Sequence, residues 1–537
     1  MRKLICWVAL ATAACVPLGR AAAQESGPTI EVRVRSVNDL VGKFDYLGGV
    51  LNQAEQAKQL VGVVQAFTDE KKGIEGIDPA RPIGLYGSVT KDVVDSPIVV
   101  LIPIADETAF LNLLTGKLNL DPKKENGVYT VQVPNVPVPV LFRFADEYVH
   151  ITVQSDAAIA PKKLIAPKEF FSKKDDAILT ALVHFDRLPD DLKKTVFGQF
   201  ELKVNDAKAR KDAGESPAQK KLRVWALDQL TSVVKTVFAD GKDLGIRLTV
   251  TPKSDDIAAE VIFTGKEGST LAKWITSIGA QSSVAAAVAG SVKNPLASLG
   301  LKFDLPPNSK KELEPVVEAL IEEAIEGAKD KDVARKVLEA VTPTLKAGKF
   351  EAGLTVTGPN EDGKLKLVAA VKTTDGNAIA KLLEELAPHI PADKAQIELN
   401  AKKAGDVAIH KIEISNEDIE KKFGTKNIWL GTSDALILLS IEADGSLLQT
   451  AAKSKPAKVE PAEGELSLAR MFGIDDKALK PDQVKKLVVE AFGGDGAEGK
   501  DTVTVKLTGG DSLAVRANVK GKGFKMAILV DQAKKKN

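Results

Sequence analysis

The stretch Thr29-Ile30-Glu31-Val32-Arg33-Val34-Arg35-Ser36-Val37 alternates aliphatic and charged residues, the two-residue period of a half-buried strand. Behind it, residues 38–67 place Leu40, Phe44, Leu47, Leu51, Ala54, Val61 and Val64 along one helical stripe, weakened locally by Gly42, Gly48, Gly49 and Gly62. Similar strands begin near Ile178, Leu296 and Leu466, each with a helical stretch after it. Phe185-Asp186-Arg187-Leu188-Pro189 opens one such helix, and Phe303-Asp304-Leu305-Pro306-Pro307 opens another. Proline near a helix start forfeits no hydrogen bond, and Asp, Asn or Ser caps the free amides. Residues 313–341 carry a second long stripe through Val317, Leu320, Ala324 and Val337.

A second element recurs as well. Residues 98–104, 257–263 and 365–371 read as strands, followed by short helices at 109–114, 270–275 and 378–383. Ala109 and Ala378, Ile98 and Leu365, and Ile30 and Leu296 are 269, 267 and 266 residues apart. Such equal spacings predict a tandem duplication with halves of about 24–292 and 293–537. The expected modules are 24–165, 166–292, 293–450 (related to the first) and 466–537 (related to the second), with a linker at 451–465 and a solvated excursion at 205–221. Asn360-Glu361-Asp362-Gly363 supplies a hairpin turn, because Asp-Gly tolerates the positive φ of a tight turn. Pro134, Pro137 and Pro139 remove amide donors from 133–140, which suggests a protected sheet edge. Runs of strands between helices imply an α+β chain, with mainly antiparallel sheets and long helices packed on one face.

The chain has 537 residues, 74 basic and 73 acidic. Arg2 and Lys3, the apolar run 4–16 and Ala21-Ala22-Ala23 read as a cleaved signal peptide over residues 1–23, so an exported product, periplasmic or extracellular, is expected. Lipid attachment at Cys15, after Thr12-Ala13-Ala14, is the competing reading. Loss of Arg2, Lys3 and Arg20 leaves 71 basic against 73 acidic groups, which disfavours nucleic-acid binding. No later run is long and charge-free enough to span a bilayer, 283–292 included. Both cysteines, Cys6 and Cys15, lie in the leader, so thiol catalysis and Cys-ligated metals are excluded from the mature chain.

Few motifs carry chemistry. Gly494-Asp495-Gly496-Ala497-Glu498-Gly499-Lys500-Asp501 matches G-x-G-x-x-G, but a helix precedes it and a strand follows, the reverse of a phosphate loop. Asp495 and Glu498 would repel phosphate, and the spacing is not that of an EF-hand, so neither a nucleotide nor calcium is expected there. His150, His184, His389 and His410 show no metal-ligand spacing. His150 is expected on the polar side of its strand, His410 as a satisfied, half-buried histidine, and His389 at a helix end. His184 and Asp186 point the same way along a strand, without a G-x-S-x-G elbow. Three tryptophans (225, 274 and 429) are too few for extended sugar platforms, and Trp274 is expected to pack in a core.

In its strand, Phe-Asp-x-x-Pro turn and helix grammar, the chain resembles uncharacterised exported bacterial proteins with repeated α+β modules. That resemblance implies no activity and no site residues. No catalytic, cofactor-binding or metal residue is assigned. The expected role is a non-catalytic binding or structural protein with an unknown protein or envelope partner. An apolar-ligand or lipid carrier and a carboxylate-based hydrolase are the alternatives.

Overall fold

The computed structural model describes residues 27–536 except 52, 54, 56–61, 63–67, 70–72, 91–95, 135, 154, 173–174, 211–213, 329, 392–393, 473–478, 480, 494–496 and 498. Residues 1–26, Cys6 and Cys15 among them, lie outside the described residues. The chain is α+β with antiparallel sheets and divides into two compact units, Met1–Phe197 with Asp240–Lys266, and Gly198–Ala239 with Glu267–Asn537.

Besides a small ribbon of Thr68–Asp69 and Gly73–Ile74, the main sheet of the first unit has β1 (Ile30–Val34), β2 (Ile83–Gly87), β3 (Ile98–Pro103), β4 (Lys123–Glu125), β5 (Val128–Val131), β6 (Val140–Ala145), β7 (Tyr148–Val153), β8 (Leu179–His184), β9 (Gly241–Thr251) and β10 (Asp256–Gly265). Antiparallel pairing orders them β4-β5-β6-β7-β3-β2-β1-β8-β9-β10. The second unit carries β11 (Ala297–Asp304), β12 (Lys349–Thr357), β13 (Lys366–Lys372), β14 (Ala395–Ala404), β15 (Val407–Ile414), β16 (Asn427–Ser433), β17 (Leu436–Ile441), β18 (Ala462–Ser467), β19 (Thr502–Thr508) and β20 (Leu513–Lys520). Their order is β14-β15-β16-β17-β13-β12-β11-β18-β19-β20, strand for strand that of the first unit.

Register agrees too. Ile30 faces Gly87 and Val183, as Ala297 faces Val356 and Leu466. The Thr29 amide donates to the Gly87 carbonyl and the His184 amide to the Thr29 carbonyl, at 2.7 and 2.8 Å. In the second unit Leu296 donates to Val356 and Ser467 to Leu296, both at 2.8 Å. Through these pairs His150 on β7 corresponds to Leu438 on β17, and His184 on β8 to Ser467 on β18.

Short helical segments cover both faces of the first sheet around β7. On one face the helix Pro167–Phe170 and the turn Asp156–Ile159 close over Tyr86, Val99, Leu101 and Tyr148. On the other the helix Glu107–Asn112 sets Phe110 among Phe142, Val149 and Ile151. The first long helix is described over Val37–Val50, capped by the Ser36 hydroxyl, and the rest of 38–67 falls largely outside the described residues. The stripe at 313–341 spans two helices, Pro307–Gly327 and Lys331–Lys346. The break follows from Asp330, whose carboxylate accepts the Val333 amide at 3.0 Å and starts a new helix.

The excursion at 205–221 is mostly helix, since Asp190–Ala209 runs into it and Pro217–Asp240 starts within it. The stretch 451–465 is no free linker. Its Ala457–Val459 pairs with Gln281–Ser283, and β18 begins at Ala462 between β11 and β19. The proline run leaves the sheet as the connection between β5 and β6, held by a Gln132 side-chain bond to the Val136 carbonyl at 2.9 Å. The turn at 360–363 lies between β12 and β13 as read, with Gly363 at φ 75° and the Asn360 carboxamide accepting the Asp362 and Lys364 amides.

The second unit buries an Ala/Val-rich turn, Ala286–Gly290, against β12 and β13. Ala285 and Val288 pack with Val368, Ala370, Leu438 and Leu448. Gly353 is indispensable to that approach, because a Cβ there would stand 2.1 Å from the Ala285 carbonyl oxygen. The helix Pro217–Asp240 also belongs to this unit, where Trp225 packs on Leu313, Val316 and Val317 of Pro307–Gly327.

Candidate functional site

The strongest convergence of ionisable groups in the first unit lies at the end of β8. Strand alternation places Glu31, Arg33, His184, Asp243, Arg247 and Glu260 on one sheet face, and cross-strand register sets His184 directly opposite Asp243. The His184 ring is nearly buried. Its Nδ1 lies 2.6 Å from Asp243 Oδ1 and its Nε2 lies 3.0 Å from Glu31 Oε1. Glu31 also accepts from Arg33 Nη2 at 2.5 Å, and Arg33 stands 4.9 Å above the Phe170 ring. Asp186, two residues beyond His184 in the turn Phe185–Arg187, adds a third carboxylate, with ligand-type atoms of His184, Asp186 and Asp243 all within 4.8 Å of one another.

The electrostatics follow from these contacts. Burial would lower the His184 pKa, but the hydrogen bonds to Asp243 and Glu31 outweigh it and raise it above its ordinary value. Burial would raise Glu31 and Asp243, yet the bonds from His184 and the nearby positive charges hold both below the usual carboxylate range. The ring is thus held between two carboxylates that favour its protonated form, with both nitrogens committed. Farther along the same face Arg247 joins Asp175, Asp176 and Glu260 at 2.5, 2.8 and 3.0 Å, which takes Asp175 down to about 2 despite partial burial.

The other histidines stand apart from this group. His150 is fully buried between Leu101 and Arg143, where a polar exterior was expected, and its ring nitrogens make no hydrogen bond of good geometry, with the Ala145 carbonyl a weak backbone contact. Burial pushes its pKa down to about 4. The position is buried because helices close both faces around β7, which strand alternation alone does not reveal. His410 is satisfied as expected but buried: Nδ1 accepts the Asn400 amide and Nε2 meets the Thr432 hydroxyl, both at 3.2 Å. His389 is exposed at the end of the turn Ala387–His389.

Half of the glycine-rich stretch 494–501, residues 494–496 and 498, lies outside the described residues. Its flanks are the helix Pro481–Phe492 and the strand β19, the order read from sequence. Asp501, buried at its end, accepts the Ser467 hydroxyl and, at 3.0 Å, the Ala469 amide. Trp274 is half-buried, since Leu271 and Ile275 take the core side of its helix.

Buried acids not singled out from sequence serve the second unit's frame. Glu442 accepts the Leu447 and Leu448 amides at 2.9 Å each, capping the helix Ser446–Ala452, and the Ser440 hydroxyl at 2.8 Å. Glu351 binds Lys302 and, at 2.8 Å, Lys372.

The opposite sheet face of each unit is aliphatic. In the first, Val32 faces Ala181, Ala181 faces Ile246, and Ile246 faces Val261. In the second, Leu299 faces Gly464, Gly464 faces Val505, and Val505 faces Ala517. These are corresponding positions, a small residue flanked by aliphatic ones, and they stay open: Ile246 is 51% and Val505 48% exposed. No family model, curated protein or solved structure matches the chain.

Proposed function

We propose that the chain is an exported, non-catalytic binding protein built from two copies of one ancestral block, and that what it binds is apolar. The corresponding aliphatic windows around Ile246 and Val505 are the observation that carries this reading. Water-exposed aliphatic surface is unfavourable by about 25 cal/mol per Å², so a surface repeated at the same register points to an occupant. The matching strand orders support common descent of the two units, and the first 23 residues support export. Most of the buried ionisable groups described above spend their bonding capacity on the fold, which favours binding over the carboxylate-hydrolase alternative.

The test is to purify the mature chain without detergent and analyse an organic extract by mass spectrometry, with dodecanoate binding measured by calorimetry. Co-purified lipid, or saturable binding that Ile246→Asp and Val505→Asp each weaken about fivefold, is expected, since each side chain contributes on the order of 1 kcal/mol of remaining burial. Absence of both lipid and dodecanoate binding would return the reading to a structural protein or one with a polar envelope partner.

A further inference from the structure

We propose that His184, Asp186 and Asp243 form a binding site for one divalent transition-metal ion of the zinc class, with Glu31 orienting the imidazole from behind. This is independent of the apolar ligand proposed above. The three ligand-type atoms lie within 4.8 Å of one another, so shifts on the order of 1 Å would bring them to the roughly 2.0–2.2 Å distances of zinc–nitrogen and zinc–oxygen bonds. Glu31 Oε1 already receives the remaining ring N–H at 3.0 Å, the carboxylate–histidine–metal relay that fixes the tautomer of a ligating histidine. One imidazole with two carboxylates suits zinc-class ions better than calcium or magnesium, which take oxygen alone.

The second unit supplies an internal control. Register equates Glu31, His184, Asp186 and Asp243 with Ser298, Ser467, Ala469 and Thr502. The backbone bond of His184 to Thr29 is kept there as Ser467 to Leu296, both at 2.8 Å, without any of the four ionisable side chains. That corner is held instead by buried Asp501, which accepts the Ser467 hydroxyl, and by Arg470, which donates to it at 3.0 Å, so what the second unit lacks is the histidine and any counterpart of Asp186. Asp186 is the telling member. It lies outside the two bonds that hold His184, so the ion cluster stands without it, whereas a metal would need it.

Binding would exchange a proton for the ion. The Nδ1–H now shared with Asp243 leaves to solvent, and the freed nitrogen lone pair bonds the metal. Arg33 beside Glu31, Arg187 after Asp186 and Lys242 before Asp243 are the cationic groups around the cluster, and Thr264 bonds Asp243.

The mature chain, stripped with a chelator, is titrated with zinc chloride by calorimetry at pH 7 in two buffers of different ionisation enthalpy. One site per chain with about one proton released is expected, with a rise in Tm at saturation. Asp186→Asn should weaken binding at least tenfold and leave the metal-free Tm unchanged, and His184→Asn should abolish it. Absence of heat and Tm shift with zinc, or undiminished binding by Asp186→Asn, would overturn the site and leave only the charge cluster. Asp186→Asn keeps the test decisive if His184→Asn fails to fold.

Discussion

Replacing His150 by leucine should stabilise the protein, and more so in acid. The imidazole is 0% exposed, makes no hydrogen bond of good geometry, has only the Ala145 carbonyl as a weak backbone contact, and corresponds to Leu438 of the second unit, also 0% exposed. Leaving a polar group buried without a partner costs about 1–3 kcal/mol, and with only the weak Ala145 contact to offset it His150→Leu should gain about 1 kcal/mol at pH 7, less any cost of repacking around a new shape. Burial holds the folded pKa at about 4, below the roughly 6.5 of an unfolded histidine. A group depressed in this way gives its full stability above 6.5 and loses it as pH falls toward 4, because the unfolded chain then takes a proton the folded one refuses. About 2.5 pH units amount to about 3 kcal/mol. Guanidinium unfolding of wild type and His150→Leu at pH 7 and pH 4 measures it, and the difference between the proteins isolates this group from the carboxylates. A parallel pH dependence in the two proteins, or a destabilised variant at pH 7, would refute the reasoning.

His184 should behave in the opposite sense. Its pKa is raised in the folded state, so its contribution is complete below about 6.5 and is lost as pH climbs through the folded value; Glu31 and Asp243, both lowered, lose theirs as pH falls below about 4.5. The gap in unfolding free energy between wild type and His184→Asn should be wider at pH 5.5 than at pH 8.5. Gly353→Ala should cost at least about 2 kcal/mol in thermal or denaturant unfolding, because the new Cβ would meet the Ala285 carbonyl at 2.1 Å.

The elements themselves were well marked in the sequence. Alternation at Ile30–Val34, the hairpin at Asn360–Gly363 and the near-equal spacings of the short helices all correspond to strands, turn and helices found. What stayed hidden was tertiary. Glu31 precedes His184 by 153 residues and Asp243 follows it by 59, so only cross-strand register could assemble the cluster. Asp186, the neighbour that sequence suggested, forms neither of the two bonds to the ring. The burial of His150 depends on helices arriving at both faces of β7. The strand at Ala457–Val459 was masked by an Ala/Lys/Pro/Glu composition that reads as solvated chain, although its pairing with Gln281–Ser283 satisfies it. Asp330 was the available sign of the helix break, a capping residue three positions before Val333.

The helix Pro217–Asp240 is encoded between β8 and β9 but packs its Trp225 on Leu313, Val316 and Val317. Neither unit is thus a contiguous stretch of polypeptide, and a truncation after residue 266 would strand this helix without its apolar bed. During synthesis Trp225 emerges roughly ninety residues before that bed does, and excision of one unit for expression would need two cuts and a short splice in place of a single boundary.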